Sequence, residues 1–174
     1  MSALQFCVDT LRSGSIAGIG LDAQPDAWEA QLGREYIDDI RKGRMRRDFG
    51  LVEVSFVREA NSWQCTEISI QVHRLASGEP DVAPNHLIEK YGRFEERIPF
   101  SLLEERTSSQ GICLHRIDDG RQELHSRYAV TESACIVHAL TAETGGAGSG
   151  RTTAGDVWSI SLARDFDRRR LPIR

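Results

Sequence analysis

The sequence predicts an α+β fold, with an antiparallel β-sheet, or two, and helices packed on one face. Three observations carry this. Apolar and polar residues alternate strictly in residues 49–57, 66–73 and 157–163, the period of strands with one buried and one wet face. Residues 3–12 and 22–33 instead place apolar side chains at helical spacing between serine, proline and glycine stops. The order is helices first and strands after, which favours segregated α and β layers.

In residues 3–12, Leu4, Cys7, Val8 and Leu11 form one apolar stripe of a short helix, and Ser13-Gly14 ends it. A glycine-broken apolar link follows over residues 16–21. Asp22 to Pro25 opens a second helix with Ala27, Trp28, Gln31 and Leu32 at helical spacing, and Gly33 stops it. The basic stretch 41–47 (RKGRMRR) reads as a loop. In residues 49–57, Val52, Val54 and Phe56 alternate with Glu53 and Ser55. In residues 66–73, Ile68, Ile70 and Val72 alternate with Glu67, Ser69, Gln71 and His73. With Asn61 between them, the two strands form a hairpin.

Two prolines and a glycine make residues 76–85 a linker or surface loop. Residues 86–91 read as one or two helical turns, and Pro99 at a helix start introduces a helix over 100–106. Residues 112–115 are a candidate strand and Asp118-Asp119-Gly120 a turn. Residues 128–130 and 134–138 are strands with a break at 131–133. The glycine-rich stretch 144–155 reads as a mobile loop. Residues 157–163 close the sheet with Trp158, Ile160 and Leu162 inward, and the tail 168–174 is basic. Helix-then-strand order occurs twice, each time with a tryptophan in or before a late strand (Trp63 and Trp158). A single domain over 1–174 with sub-halves 1–78 and 84–167, related by duplication, is therefore an expectation.

Of 174 residues, 40% are hydrophobic and 28% charged, enough apolar surface for a sizeable core. A net charge of −4 gives no global attraction to nucleic acid or to an anionic membrane. Lys42 and Lys90 are the only lysines among 22 basic residues; the rest are arginine. No stretch of 18 apolar residues and no basic, apolar leader occurs, so the expected location is cytoplasmic, without a membrane span. Cys7, Cys65, Cys113 and Cys135 lack C-x-x-C spacing and read as reduced thiols.

Chemistry-bearing residues do not assemble into a motif. His73, His86, His115, His125 and His138 lack the i+3 or i+4 spacing that places two ligands on one helix face, so neither a metal nor a cofactor is expected. Ser149 lies in a glycine-rich stretch without the strand and helix that a nucleophile elbow needs. Asp38-Asp39, Glu95-Glu96, Glu104-Glu105 and Asp118-Asp119 are adjacent acids, whose side chains diverge in helix and strand alike. The outer face of the predicted hairpin is the candidate site: Glu53, Ser55, Glu67, Ser69, Gln71 and His73 form a polar platform suited to a basic protein. On that expectation, Glu53→Lys combined with Glu67→Lys abolishes partner capture and leaves the fold intact.

The segments Leu11 to Gly14, Ile16-Ala17-Gly18-Ile19, the helix ending Leu32-Gly33, and Phe49-Gly50-Leu51-Val52-Glu53 resemble a set of small bacterial α+β proteins. Several of these look like immunity proteins of toxin systems. The resemblance covers residues 1–75, carries over no functional residue, and implies a protein-binding role. The sequence thus points to a non-enzymatic binding module whose partner is another protein, such as a toxin, or a second copy of itself. The alternative is a small-molecule-binding domain or enzyme built from scattered residues such as Glu53, His73, His115 and Arg127.

Overall fold

The structure, a computed structural model, describes residues 2–79, 82–117, 124–141 and 152–164. The chain begins with helix α1 (Ala3–Ser13). The Ser2 hydroxyl accepts a bond from the Gln5 amide, and Gly14 ends the helix at φ 64° with its N–H on the Thr10 carbonyl. Phe6, Cys7, Val8 and Leu11 are its buried stripe, whereas Leu4 is only half-buried. Phe6, at a position outside the expected stripe, packs edge-on against Tyr91 and Phe94 at 5.3 and 5.6 Å. Helix α2 (Pro25–Leu32) starts on its proline and buries Trp28 completely.

Four strands follow: β1 (Ile37–Arg41), β2 (Arg44–Asp48), β3 (Val52–Glu59) and β4 (Ser62–Ile70). The basic stretch 41–47 is therefore a hairpin and not a loop. Its two turn residues, Lys42 and Gly43, both have positive φ. Alternation was hidden there because an arginine occupies a core-facing position: Met45 and Arg47 are buried while Arg44 and Arg46 are exposed. Arg47 donates to both Asp38 oxygens at 2.8 Å and to the Pro25 carbonyl at 3.1 Å, and lies 3.9 Å over the Tyr36 ring. Buried charge is tolerated when it is paired in this way.

The β3–β4 hairpin turns at Ala60-Asn61. Its second strand begins earlier and ends earlier than the alternation predicts. A bulge opposite Ser55/Phe56 leaves Thr66 as the extra residue, and its hydroxyl bonds the Ser55 carbonyl. That extra residue resets the phase, so Cys65 and Ile68 both face the core. After Ile70 the chain turns into a 3-10 segment (Val72–Ser77), so His73 leaves the strand. The described residues 78–79 and 82–84 are irregular, as expected, but 82–83 pack on the sheet: Val82 and Ala83 are buried, and the Val82 carbonyl accepts from the Leu51 amide at 2.6 Å.

The second half repeats the order: α3 (Asn85–Tyr91), α4 (Phe100–Ser108), then β5 (His115–Ile117), β6 (His125–Val130), β7 (Cys135–Leu140) and β8 (Val157–Ala163). Residues 112–114 are not strand; the Ile112 amide bonds the Thr107 carbonyl and closes α4. The expected turn at 118–120, positions 144–151 and the tail 168–174 lie outside the described residues. Residues 152–155 are held. The Thr153 amide bonds Asp156 at 2.8 Å, and Arg97 grips the same carboxylate with two donors at 2.8 and 2.9 Å.

All eight strands form one antiparallel sheet in the order β1-β2-β3-β4-β8-β7-β6-β5. Each half is a four-stranded meander, and the two meet through their last strands. The core lies between the helices and the inner face, centred on Val54, Phe56, Ile68, Ile160, Leu162 and Val137. Burying a side chain of this size contributes roughly 1.5–3 kcal/mol. Trp158 does not point inward as its alternation implies. The register slips between His138 and Ala139, which makes Trp158 the extra residue of a second bulge and turns its ring toward His73 and His125. No described helix is long and apolar enough to cross a membrane.

Candidate functional site

With the helices on the inner face, alternate residues of successive strands form an outer face. Register places Glu53 beside Ser69 and Ser55 beside Glu67. Strand β2 extends the face with Asp48 beside Glu53 and Arg46 beside Ser55. Strand β8 continues it with Ser161 beside Ser69 and Ala163 beside Glu67. Glu53, Ser55, Glu67 and Ser69 are thus brought together as expected. Short serine and alanine side chains keep the middle of the face low.

The charges are arranged differently from a bare acidic platform. Arg74, from the 3-10 segment, bonds Glu53, and also reaches Asp48 at 2.8 Å and the Gly50 carbonyl at 2.6 Å. Gln71 leaves the strand yet rejoins the face, donating to Glu53 at 3.2 Å and Ser69 at 3.0 Å. The Glu53 carboxylate, 14% exposed, is consumed internally. Glu53→Lys would place an ammonium against Arg74, so that half of the expected double reversal would cost stability as well as change the face. Glu67 is exposed. Partial loss of its water, together with the neighbouring Glu53 charge, raises its carboxyl above the ordinary value. Arg74 was missed at the sequence level because its role depends on the chain leaving the strand after Ile70.

His73 does not join this group. Its ring stacks on Trp158 at 4.0 Å, nearly parallel, with Nδ1 3.3 Å from the Trp158 carbonyl oxygen. His125 lies 5.3 Å from the same indole, and His138 meets the Ser161 hydroxyl at 3.3 Å. Desolvation, reinforced by the neighbouring His125 and Arg127 charges, pushes His138 down to about 4 from 6.5. Desolvation also lowers His73. On acidification the unfolded chain takes up these protons first. The stabilisation from the neutral rings is therefore complete above pH 6.5 and is lost as pH falls toward 4. For His138 this amounts to about 2 kcal/mol after allowance for partial solvent access. Melting temperature should drop between pH 7 and pH 5, and His138→Gln should flatten that slope; an unchanged slope would separate the effect from His138.

The scattered set does not converge. Glu53 on β3 and Arg127 on β6 are separated by four strand spacings, about 19 Å, and His115 on β5 lies one strand further. Arg127 pairs in register with His138 and Ile117, and His115 with Ala129. Burial pushes the thiols of Cys7 and Cys65 up to about 12 and that of Cys135 to about 11, the opposite of an activated nucleophile. Among the described residues no group of three His, Cys, Asp or Glu side chains is placed to hold a metal. Ser149 lies outside the described residues. Asp38 and Asp39 diverge, the first to Arg47 and the second to Arg41.

A cleft of about 480 Å³ opens at the end of β1 and β2, lined by Tyr36, Ile37, Phe49, Arg74 and Val82. A second, of about 670 Å³, lies between α1 and α4 beside Leu4, Leu102 and Arg106. Both are open surface grooves; the first also carries Glu35, Asp48 and Glu79 around Arg74, and the second Glu105 beside Arg106. Comparison with protein-family models, curated proteins and solved structures gives no match to this chain.

Proposed function

We propose that this chain is a non-enzymatic protein-binding module that docks a basic partner on the outer face of its sheet, in the manner of an immunity protein blocking a toxin. The observation that supports it most is the state of Glu67. This carboxylate is exposed on a rigid strand, on the same face as Glu53, and its charged form is disfavoured there. A lysine or arginine from a partner supplies this carboxylate with the opposite charge that it lacks among the described residues, so docking there is favoured electrostatically. Ser55, Ser69 and Ser161 surround it with short hydroxyls and little steric bulk, a surface on which another protein can lie flat.

The test is affinity capture from the source organism, or co-expression with the product of a neighbouring gene, using wild type and Glu67→Lys. Glu67 makes no ion pair in the chain among the described residues, so the variant keeps the fold. Capture should weaken at least tenfold, corresponding to about 1.4 kcal/mol or more. A partner held equally well by Glu67→Lys excludes this face.

A further inference from the structure

Strand β1 closes one end of the sheet, and among the described residues no strand lies on its far side. Ile37 is 75% and Ile40 58% exposed, on opposite faces of the same five-residue strand. Protein sheet edges are commonly blunted by shortness, charged side chains, proline or a bulge; β1 is short and charged, but its charges are of both signs. This edge has no proline, and its register with β2 runs without a slip.

The turn determines which main-chain groups face outward. Lys42 and Gly43, at φ 46° and 76°, form a two-residue turn of the primed kind. In such a hairpin the flanking pair Arg41–Arg44 exchanges main-chain bonds, as do the alternate pairs Asp39–Arg46 and Ile37–Asp48. The N–H and C=O groups of Asp38 and Ile40 therefore point away from β2 toward the open edge.

We propose that β1 pairs antiparallel with β1 of a second copy of this chain, about a two-fold axis through Ile40, so that one sheet runs across both. A two-fold axis normal to the sheet keeps each residue on its own face, so the register must be centred on a residue. Centring on Asp38 or Asp39 sets identical carboxylates opposite each other, and centring on Arg41 sets two guanidinium groups opposite. Centring on Ile40 has no such clash. Ile40 meets Ile40, Asp39 meets Arg41, Asp38 meets Lys42, and Ile37 lies over Gly43, where no side chain is in the way. Opposite charges across strands stabilise a pair and like charges destabilise it. Within one chain Asp39 already holds Arg41 at 2.8 Å, and the second copy adds another guanidinium to the same carboxylate. The same axis brings the outward groups of Ile40 and of Asp38 into bonding position. This surface is separate from the outer face around Glu67, so the two readings stand or fall independently.

Light scattering after size exclusion, at about 100 µM chain, decides it, because self-association grows with concentration. Wild type should have twice the mass of one chain. Asp39→Arg opposes Arg41 and should return the mass to that of a monomer; Asp39→Arg with Arg41→Asp restores the opposite charges and should return the dimer. Ile40→Lys, a change at an exposed position, gives a second disruption, with circular dichroism showing that each variant is folded. A monomeric wild type overturns the proposal. So does a dimer indifferent to both single variants, or a double charge swap that stays monomeric.

Discussion

Gly50→Ala should lower the stability of this protein by about 3 kcal/mol. Two independent causes add. The position has φ +83°, where a side chain costs about 1–2 kcal/mol. A Cβ built there would also stand 2.3 Å from the Val82 carbonyl oxygen and 3.1 Å from its carbon. Relief requires the 82–83 segment to move off the sheet. That breaks the bond from the Leu51 amide to the same carbonyl and leaves a buried donor unsatisfied, a loss of about 1–3 kcal/mol. Gly78→Ala is the control, because it shares the left-handed backbone at φ +72° but has nothing within 4 Å of its Cβ position. Urea unfolding should shift far more for Gly50→Ala, at unchanged slope; equal midpoints would rule out the close approach of residue 82.

Asp38→Ala is the second large effect. It strips the bidentate partner from Arg47, whose side chain is only 8% exposed, and an uncompensated buried charge typically costs about 3–5 kcal/mol. Glu29, 4.0 Å away, remains within reach and moves the expectation to about 3 kcal/mol. Adding Arg47→Met to Asp38→Ala removes the stranded charge and should recover most of the loss. If the double variant is no more stable than Asp38→Ala alone, the penalty comes from lost packing over Tyr36 and not from charge.

The part of the fold that could be read in advance is the part where each residue's preference agrees with its final place. Val52, Val54 and Phe56 alternate because they face the helices, and Ser13-Gly14 stops a helix because Gly14 adopts the left-handed conformation. What escaped depends on partners distant in sequence. Arg47 is a core residue only in the presence of Asp38, so its stretch read as a basic loop. Trp158 faces His73 because a bulge against β7 shifts its phase, and a bulge leaves no mark in one strand's own alternation. The candidate face was legible at Glu53, Ser55, Glu67 and Ser69. The role of Gln71 and the capture of Glu53 by Arg74 were not, since both arise where the chain abandons the strand after Ile70.

The order of strands also sets the order in which this chain can fold. Every pairing in the sheet except one joins strands that follow each other in sequence, which cost less loop closure than a long-range pairing. The exception is the seam, Glu67 to Ile70 against Ile160 to Ala163, with everything from Gln71 to Ser159 between them. Each meander can assemble from local contacts, but the core residues Ile68 and Ile160 become fully buried only once the seam forms. The kinetic barrier is therefore expected to lie at the docking of two partly formed halves. Substitutions at Ile68 or Ile160 should slow folding in proportion to the stability they remove, while substitutions in the β1–β2 hairpin act on unfolding.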